Sequence, residues 1–183
     1  MIAKVFKWTG AYLRLFFWKL RLGSRLQAGK RVYIGKHCNL SGNIRLDDGV
    51  YLSDYCVLQA LNDGNIHIGK KTFFNTFSRV YAMEQVQIGT RCMLGSNVSI
   101  YDHDHDISNG VMHSTRTFVI NPVCLEDYVW CGTNAVITRG CTIGSNCVVG
   151  AGAVANGSLE PNGVYAGVPA VRKRDIPTAN PQV

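Results

Sequence analysis

Between Leu125 and Val154 the chain reads LEDYVW, CGTNAV, ITRGCT, IGSNCV and VGAGAV, five blocks of six residues. Each block opens on an apolar side chain: Leu125, Cys131, Ile137, Ile143 and Val149. Four residues later comes a small or β-branched one: Val129, Ala135, Cys141, Cys147 and Ala153. A period of six fits neither the 3.6-residue helix repeat nor the two-residue strand repeat. It is the signature of a parallel β-helix, in which each short strand forms one face of a prism. A single coil cannot bury its own inner residues, so coils must stack at about 4.8 Å. Glycine follows the opening residue at Gly132, Gly144 and Gly150, where a sharp turn is expected.

The same beat starts earlier, at Ile34, Leu40, Leu46, Leu52 and Leu58. It slips by four residues at Asn62–Asn65, runs through Ile68, Phe74 and Val80, then slips by two to Ile88, Leu94 and Ile100. All sixteen opening positions are apolar when cysteine counts, whereas a 46% hydrophobic composition would fill roughly seven by chance. Phe73, Phe74 and Phe77 are bulky for a thin prism, so some of them must face outward or sit at a slip of the repeat. Of seven cysteines, Cys38, Cys56, Cys92, Cys141 and Cys147 fall on the small fifth position of a hexad. They read as small hydrophobes in the core. The odd count, the lack of a CxxC pair and the lack of a signal peptide favour a reducing, cytoplasmic setting.

The charge of +7 is unevenly placed: residues 1–46 hold ten of the nineteen Lys and Arg and no acid. No zinc spacing or RNA-reading motif accompanies this basic stretch, which argues against a nucleic-acid partner. Residues 1–22 read as a basic amphipathic helix, softened at Thr9 and Gly10 and ended by Gly23, with Ser24–Arg31 as linker. At 100° per residue Ile2, Val5, Phe6, Tyr12, Leu13, Phe16, Phe17 and Leu20 share one side, and Lys4, Lys7, Arg14 and Arg21 gather opposite. The longest uncharged run, Trp8 to Leu13, is six residues, far short of a membrane span. Two readings of the greasy side stand: peripheral contact with an anionic inner-membrane surface, or packing against the solenoid or a neighbouring subunit.

After Ile100 the beat breaks for twenty-four residues, 101–124, opening with Asp102-His103-Asp104-His105-Asp106. A polar interruption of this length in a compact solenoid is functional or disordered. Alternating His and Asp suit a divalent metal, but residues two apart on one strand supply few ligands. They equally suit a histidine general base whose tautomer the aspartates fix. A solvated acidic turn is the third reading. The domain plan is then 1–28 helix and linker, 29–158 β-helix with inserted loop 101–124, and 159–183 tail.

The hexad array, the break holding IYDHDHD, the restart YVWCG and the tail GVYAGVPAVRKR together resemble the hexapeptide-repeat acyltransferases, over about residues 32–174. The nearest branch is that of the maltose, galactoside and polysaccharide O-acetyltransferases. The resemblance implies an all-β, left-handed parallel β-helix that assembles as a homotrimer, with active sites between subunits. It implies acetyl-CoA as co-substrate, no metal, and a sugar hydroxyl as acceptor. The family's general base, five residues after the apolar opening position, corresponds to His105. His103 takes a supporting or acceptor-binding place, with Asp102 and Asp104 beside it. Asn75 matches the family's acceptor-site asparagine, while the aspartate that follows in relatives is absent, leaving Glu84 as an approximate substitute.

For the donor, the resemblance points to Trp130 beside the pantetheine arm and to backbone amides around Gly132 and Gly150, Ala151 and Gly152. Gly167, Val168, Pro169 and Ala170 would border the adenine, and Arg172, Lys173 and Arg174 would meet the phosphates. The implied activity is acetyl-CoA-dependent O-acetylation of a capsule, O-antigen or exopolysaccharide sugar, free or lipid-linked. A soluble acceptor, either a nucleotide amino sugar or a drug, is the alternative. A metal-dependent hydratase or a scaffold stands further off, because no histidine follows His113.

Overall fold

The structure is a computed structural model that describes residues 2–108 and 117–177, with the backbone alone over residues 2–8. Helix α1 (Ile2–Leu22) leads into a parallel β-helix of about seven turns. Its strands stack into three faces of seven, eight and six strands. The first coil shows the plan: β1 (Leu26–Ala28), β2 (Tyr33–Ile34) and β3 (Asn39–Ser41) each begin one face. The segment read as linker therefore already contains solenoid, since β1 pairs in parallel with Asn43–Leu46. The softening expected at Thr9 and Gly10 is absent, and α1 runs through both. It stops before Gly23, whose φ of +57° only glycine adopts cheaply.

All sixteen opening residues of the hexads are at most 1% exposed. Their side chains meet along the prism axis, and the register keeps them in columns; Phe74, Leu94, Cys131 and Val149 form one. Phe74 is the inward one of the three phenylalanines. Phe73 points outward and stacks on Tyr51 at 5.4 Å. Phe77 sits at a corner with φ of +63° and stacks on Tyr55, which stacks in turn on His37. Further along, the same edge uses Asn97 and Asn134 in the left-handed region, the residue type that tolerates it best.

The hexad glycines have a different cause from the expected turn. Gly132 and Gly144 have no left-handed φ, but a Cβ on either would lie 2.6 Å from Ala151 N or 2.7 Å from Pro161. They are glycine because the next coil comes that close. Five cysteines (Cys56, Cys92, Cys131, Cys141, Cys147) are buried, Cys38 and Cys124 are partly so, and all seven are free.

Buried polar groups tie coils together. Thr72 is fully buried; its Oγ1 donates to Gly89 O at 2.7 Å and accepts from Cys92 N at 3.0 Å. Thr72→Val keeps the shape and strands the Cys92 amide, so we expect a loss of about 1–3 kcal/mol in denaturant unfolding. An unchanged midpoint would show that the bridge carries no net stability.

Candidate active site

The sequence interruption leaves the prism at the end of the Ser99–Tyr101 strand, on the edge between the third and first faces. Residues His103–His105 pair antiparallel with Phe118–Ile120, so the two ends of the loop form a short ribbon projecting from that edge. The rest of the loop, residues 109–116, lies outside the described residues and includes His113. The solenoid restarts at Val123, beside Val86.

Asp102 is fully buried at the root of the ribbon. Its carboxylate accepts from three consecutive backbone amides of the neighbouring coil: Met83 N at 2.8 and 3.0 Å, Glu84 N at 2.8 Å and Gln85 N at 2.9 Å. The remaining capacity of Oδ1 goes to His103 Nδ1 at 2.8 Å. A buried carboxylate with these partners stays an acceptor, so Nδ1 carries the proton and Nε2 keeps its lone pair. No described residue hydrogen-bonds that Nε2. The ring stands edge-on between Tyr101 and Phe118, with centroids 6.3 and 5.5 Å away.

His105 has a different environment. It is exposed, and its ring tilts over Phe118 at 4.7 Å. Among the described residues no carboxylate holds it. The aspartate between the two, Asp104, pairs with Arg139 Nε at 2.5 Å and moors the ribbon to the next coil. The buried pair thus forms around His103, the residue read as supporting, and not around His105. The signal was in the sequence: Asp102 is the last residue before the chain leaves the solenoid, where an acid can still reach the core. Glu84 contributes its backbone amide to Asp102, a role that does not depend on its side chain.

Asn75 lies on another edge, between the second and third faces, where its Oδ1 accepts from Thr76 N at 2.8 Å. Trp130 is 49% exposed on the outer side of the second face, between Met93 and Val148. Gly132, Gly150, Ala151 and Gly152 follow along the edge that carries Asn75. Gly152 is the residue of this group with open space where a Cβ would be, and with a φ of +68°. At Gly132 the missing side chain makes room for the next coil, not for a ligand.

The tail closes the far end. Gly163–Ala166 pairs antiparallel with Val171–Asp175, and the turn between them, with a cis Val168–Pro169 bond, docks Ala170 N on Val154 O. Lys173 and Arg174 are exposed. Arg172 is engaged: it bonds Asp175, Tyr165 Oη and the carbonyls of Glu160, Pro161 and Asn162. Of the three basic residues expected to meet phosphates, this one already holds the tail to the last coil.

Within one chain, the donor candidates and Asn75 line one edge or its adjoining face, and His103 stands on a different edge. A concavity of about 490 Å³ lies elsewhere again, against Arg25, Arg45, Asn65 and His67 near the helical end. Burial raises the Cys92 thiol to about 11 and the Cys141 thiol to about 12, and pushes Cys131 further up, so these sulfurs stay protonated. Among the described residues no three His, Cys, Asp or Glu side chains stand together to hold a metal ion.

Residues 122–155 match the family described as hexapeptide repeat of succinyl-transferase. The chain is 34% identical over 117 residues to a galactoside O-acetyltransferase of Escherichia coli, covering 61% of this chain and 55% of that one. It is 33% identical over 121 residues to WbbJ of the same organism, named a putative lipopolysaccharide biosynthesis O-acetyl transferase, covering 62% of each. The match thus spans little more than half the length of these relatives. In fold, the chain superposes with a TM-score of 0.79 on a serine-to-alanine mutant of AntD, an N-acyltransferase from Bacillus cereus, at 21% identity and 90% of both chains. That crystal structure holds dTDP-4-amino-4,6-dideoxyglucose and coenzyme A. The chain is similar to the hexapeptide-repeat acyltransferases, as its loop, restart and tail motifs led us to expect.

Proposed function

We propose that this hexapeptide-repeat chain is an acetyl-CoA-dependent O-acetyltransferase whose acceptor is a sugar hydroxyl of a surface polysaccharide or its lipid-linked precursor. The observation that carries the reading is the 2.8 Å hydrogen bond between buried Asp102 and partly buried His103, which leaves one imidazole nitrogen as a base at the root of a projecting ribbon. The two named O-acetyltransferases, one of them tied to lipopolysaccharide synthesis, support the acceptor class.

In this reading His103 Nε2 takes the proton from the acceptor hydroxyl as that oxygen attacks the thioester carbonyl. The carbon–sulfur bond then breaks, and the imidazolium returns the proton to the departing thiolate. Asp102 holds the ring in place and stabilises its transient charge. The raised thiols of Cys92, Cys131 and Cys141 support direct transfer without an acyl-cysteine.

On the donor side, the exposed Trp130 face and the open space at Gly152 fit a pantetheine arm lying along the prism, and Lys173 and Arg174 are free for phosphates. Gly132 and Arg172 act here in holding coils and tail. Because the donor residues and His103 stand on different edges, we assign a complete site to two neighbouring chains of a homotrimer. One chain's ribbon would face the other's Trp130 edge.

The test is acceptor-dependent release of free thiol from acetyl-CoA by the full chain, with mass spectrometry of the glycan. One base-labile acetyl ester per modified sugar is expected. A base-stable amide on a nucleotide amino sugar would favour the substrate class seen with AntD. Thiol release that needs no acceptor would overturn the reading.

A further inference from the structure

Helix α1 meets the solenoid through a face other than its greasiest one. Ala11, Leu15 and Leu22 are buried, and Trp18 packs partly on the core beside them. These residues close the open end of the prism, the capping that any solenoid needs. Arg14 Nε donates to Ile34 O at 2.7 Å and Lys19 Nζ to Ala28 O at 3.4 Å, fixing the helix across the first coil. At 100° per residue the opposite side carries Tyr12, Leu13, Phe16, Phe17 and Leu20. All five are 50–66% exposed.

This chain therefore buries one apolar face of the helix and holds out a second, more aromatic one. A cap requires only the first. Five contiguous large apolar side chains on the outside mark a surface made for a partner. The charge around them selects which one. Residues 1–46 carry ten Lys and Arg and no acid. Two copies of this end brought together would set those charges against each other, whereas an anionic lipid surface neutralises them. Aromatic and leucine side chains on one side of a helix, bordered on the wheel by Lys19 and Arg21, suit the headgroup region of a bilayer. No helix of the described residues is long and apolar enough to cross a membrane, so the helix would lie flat.

We propose that the outward face of α1, formed by Tyr12, Leu13, Phe16, Phe17 and Leu20, docks this chain on the anionic surface of a phospholipid bilayer. It rests on the function proposed above only in its purpose, which is to keep the enzyme beside a lipid-linked acceptor. The ribbon leaves the fourth coil, so His103 stands about 15 Å along the prism from the first.

The experiment is co-sedimentation of the full chain with vesicles of phosphatidylcholine alone, and of phosphatidylcholine and phosphatidylglycerol in equal parts. The wild type should pellet with the anionic vesicles, much less with the neutral ones, and be released by salt. The triple variant Phe16→Ser, Phe17→Ser, Leu20→Ser changes exposed side chains only, so its melting temperature and its mass by analytical ultracentrifugation should match the wild type. Its partition onto anionic vesicles should fall at least about tenfold. A wild type that stays in solution with both vesicles overturns the proposal. So does a triple variant that pellets equally well, or one whose oligomer dissociates, which would assign the face to a second copy. None of these readouts uses acetyl transfer, so they stand apart from the assigned activity.

Discussion

His103→Ala should lower turnover by about 10²–10⁴-fold, the usual contribution of a well-placed general base. Binding of acetyl-CoA, measured by calorimetry, should be unchanged, because the residues proposed to hold the donor do not include His103 and make no hydrogen bond to it. His105→Ala should cost less than about tenfold, since this exposed ring touches Phe118 and no carboxylate among the described residues holds it. The two variants, measured side by side, separate the residue selected by counting along the motif from the one selected by its hydrogen bond. If His105→Ala collapsed turnover and His103→Ala spared it, the base would be His105, and the buried pair would be a structural anchor for the ribbon. Retention of activity by both would remove the histidines from the chemistry.

The architecture was legible because a six-residue period is a geometric statement: it can be satisfied only by strands that return to the same face after each coil. Every opening position obeyed it, including Phe74, whose neighbours Phe73 and Phe77 took the outward and corner places that a narrow axis left to them. The site was legible only as a stretch. DHDHD announces a cluster, but His103 and His105 are two apart on one strand and so share a side, and the period alone does not say which of them an aspartate holds. That was decided by Asp102, which had to sink into the prism to accept three amides of the adjacent coil, and so drew His103 with it. Contacts of this kind join residues 17 to 19 apart, and the only local hint of them is the place of Asp102 at the exit from the solenoid. The side by which the helix caps the solenoid was hidden for a related reason. The largest apolar face of the helix was expected on a membrane, on the solenoid or on a neighbouring subunit, and the side that meets the solenoid is the smaller set Ala11, Leu15, Trp18 and Leu22. Four residues make a narrow stripe, and on a helical wheel crowded with phenylalanine it goes unnoticed.

Asp102→Asn isolates the electrostatic part of the pair from its shape. The wild-type carboxylate is an acceptor in every direction, toward the amides of Met83, Glu84 and Gln85 and toward His103 Nδ1. Asparagine has one acceptor oxygen and one amide donor. Its oxygen must take the place of Oδ2, because an NH₂ group there would face the backbone N–H groups of Met83, Glu84 and Gln85 with no acceptor between them. The NH₂ group is then left facing the imidazole and donates to Nδ1. That moves the ring proton to Nε2, the nitrogen that has to accept the acceptor's proton, so the variant is folded but holds the base in the wrong tautomer. Turnover should fall by about 10²–10⁴-fold, close to the loss for His103→Ala. Stability should drop by about 1.5–3 kcal/mol for the weakened charge-assisted bonds to the ribbon root. The decisive readout is ¹⁵N NMR of the His103 ring, with the protonated nitrogen changing from Nδ1 to Nε2 at neutral pH. The double variant with His103→Ala should be no slower than either single one, since both remove the same proton acceptor. Additive losses would mean that Asp102 and His103 act separately, and that the hydrogen bond between them is incidental to catalysis.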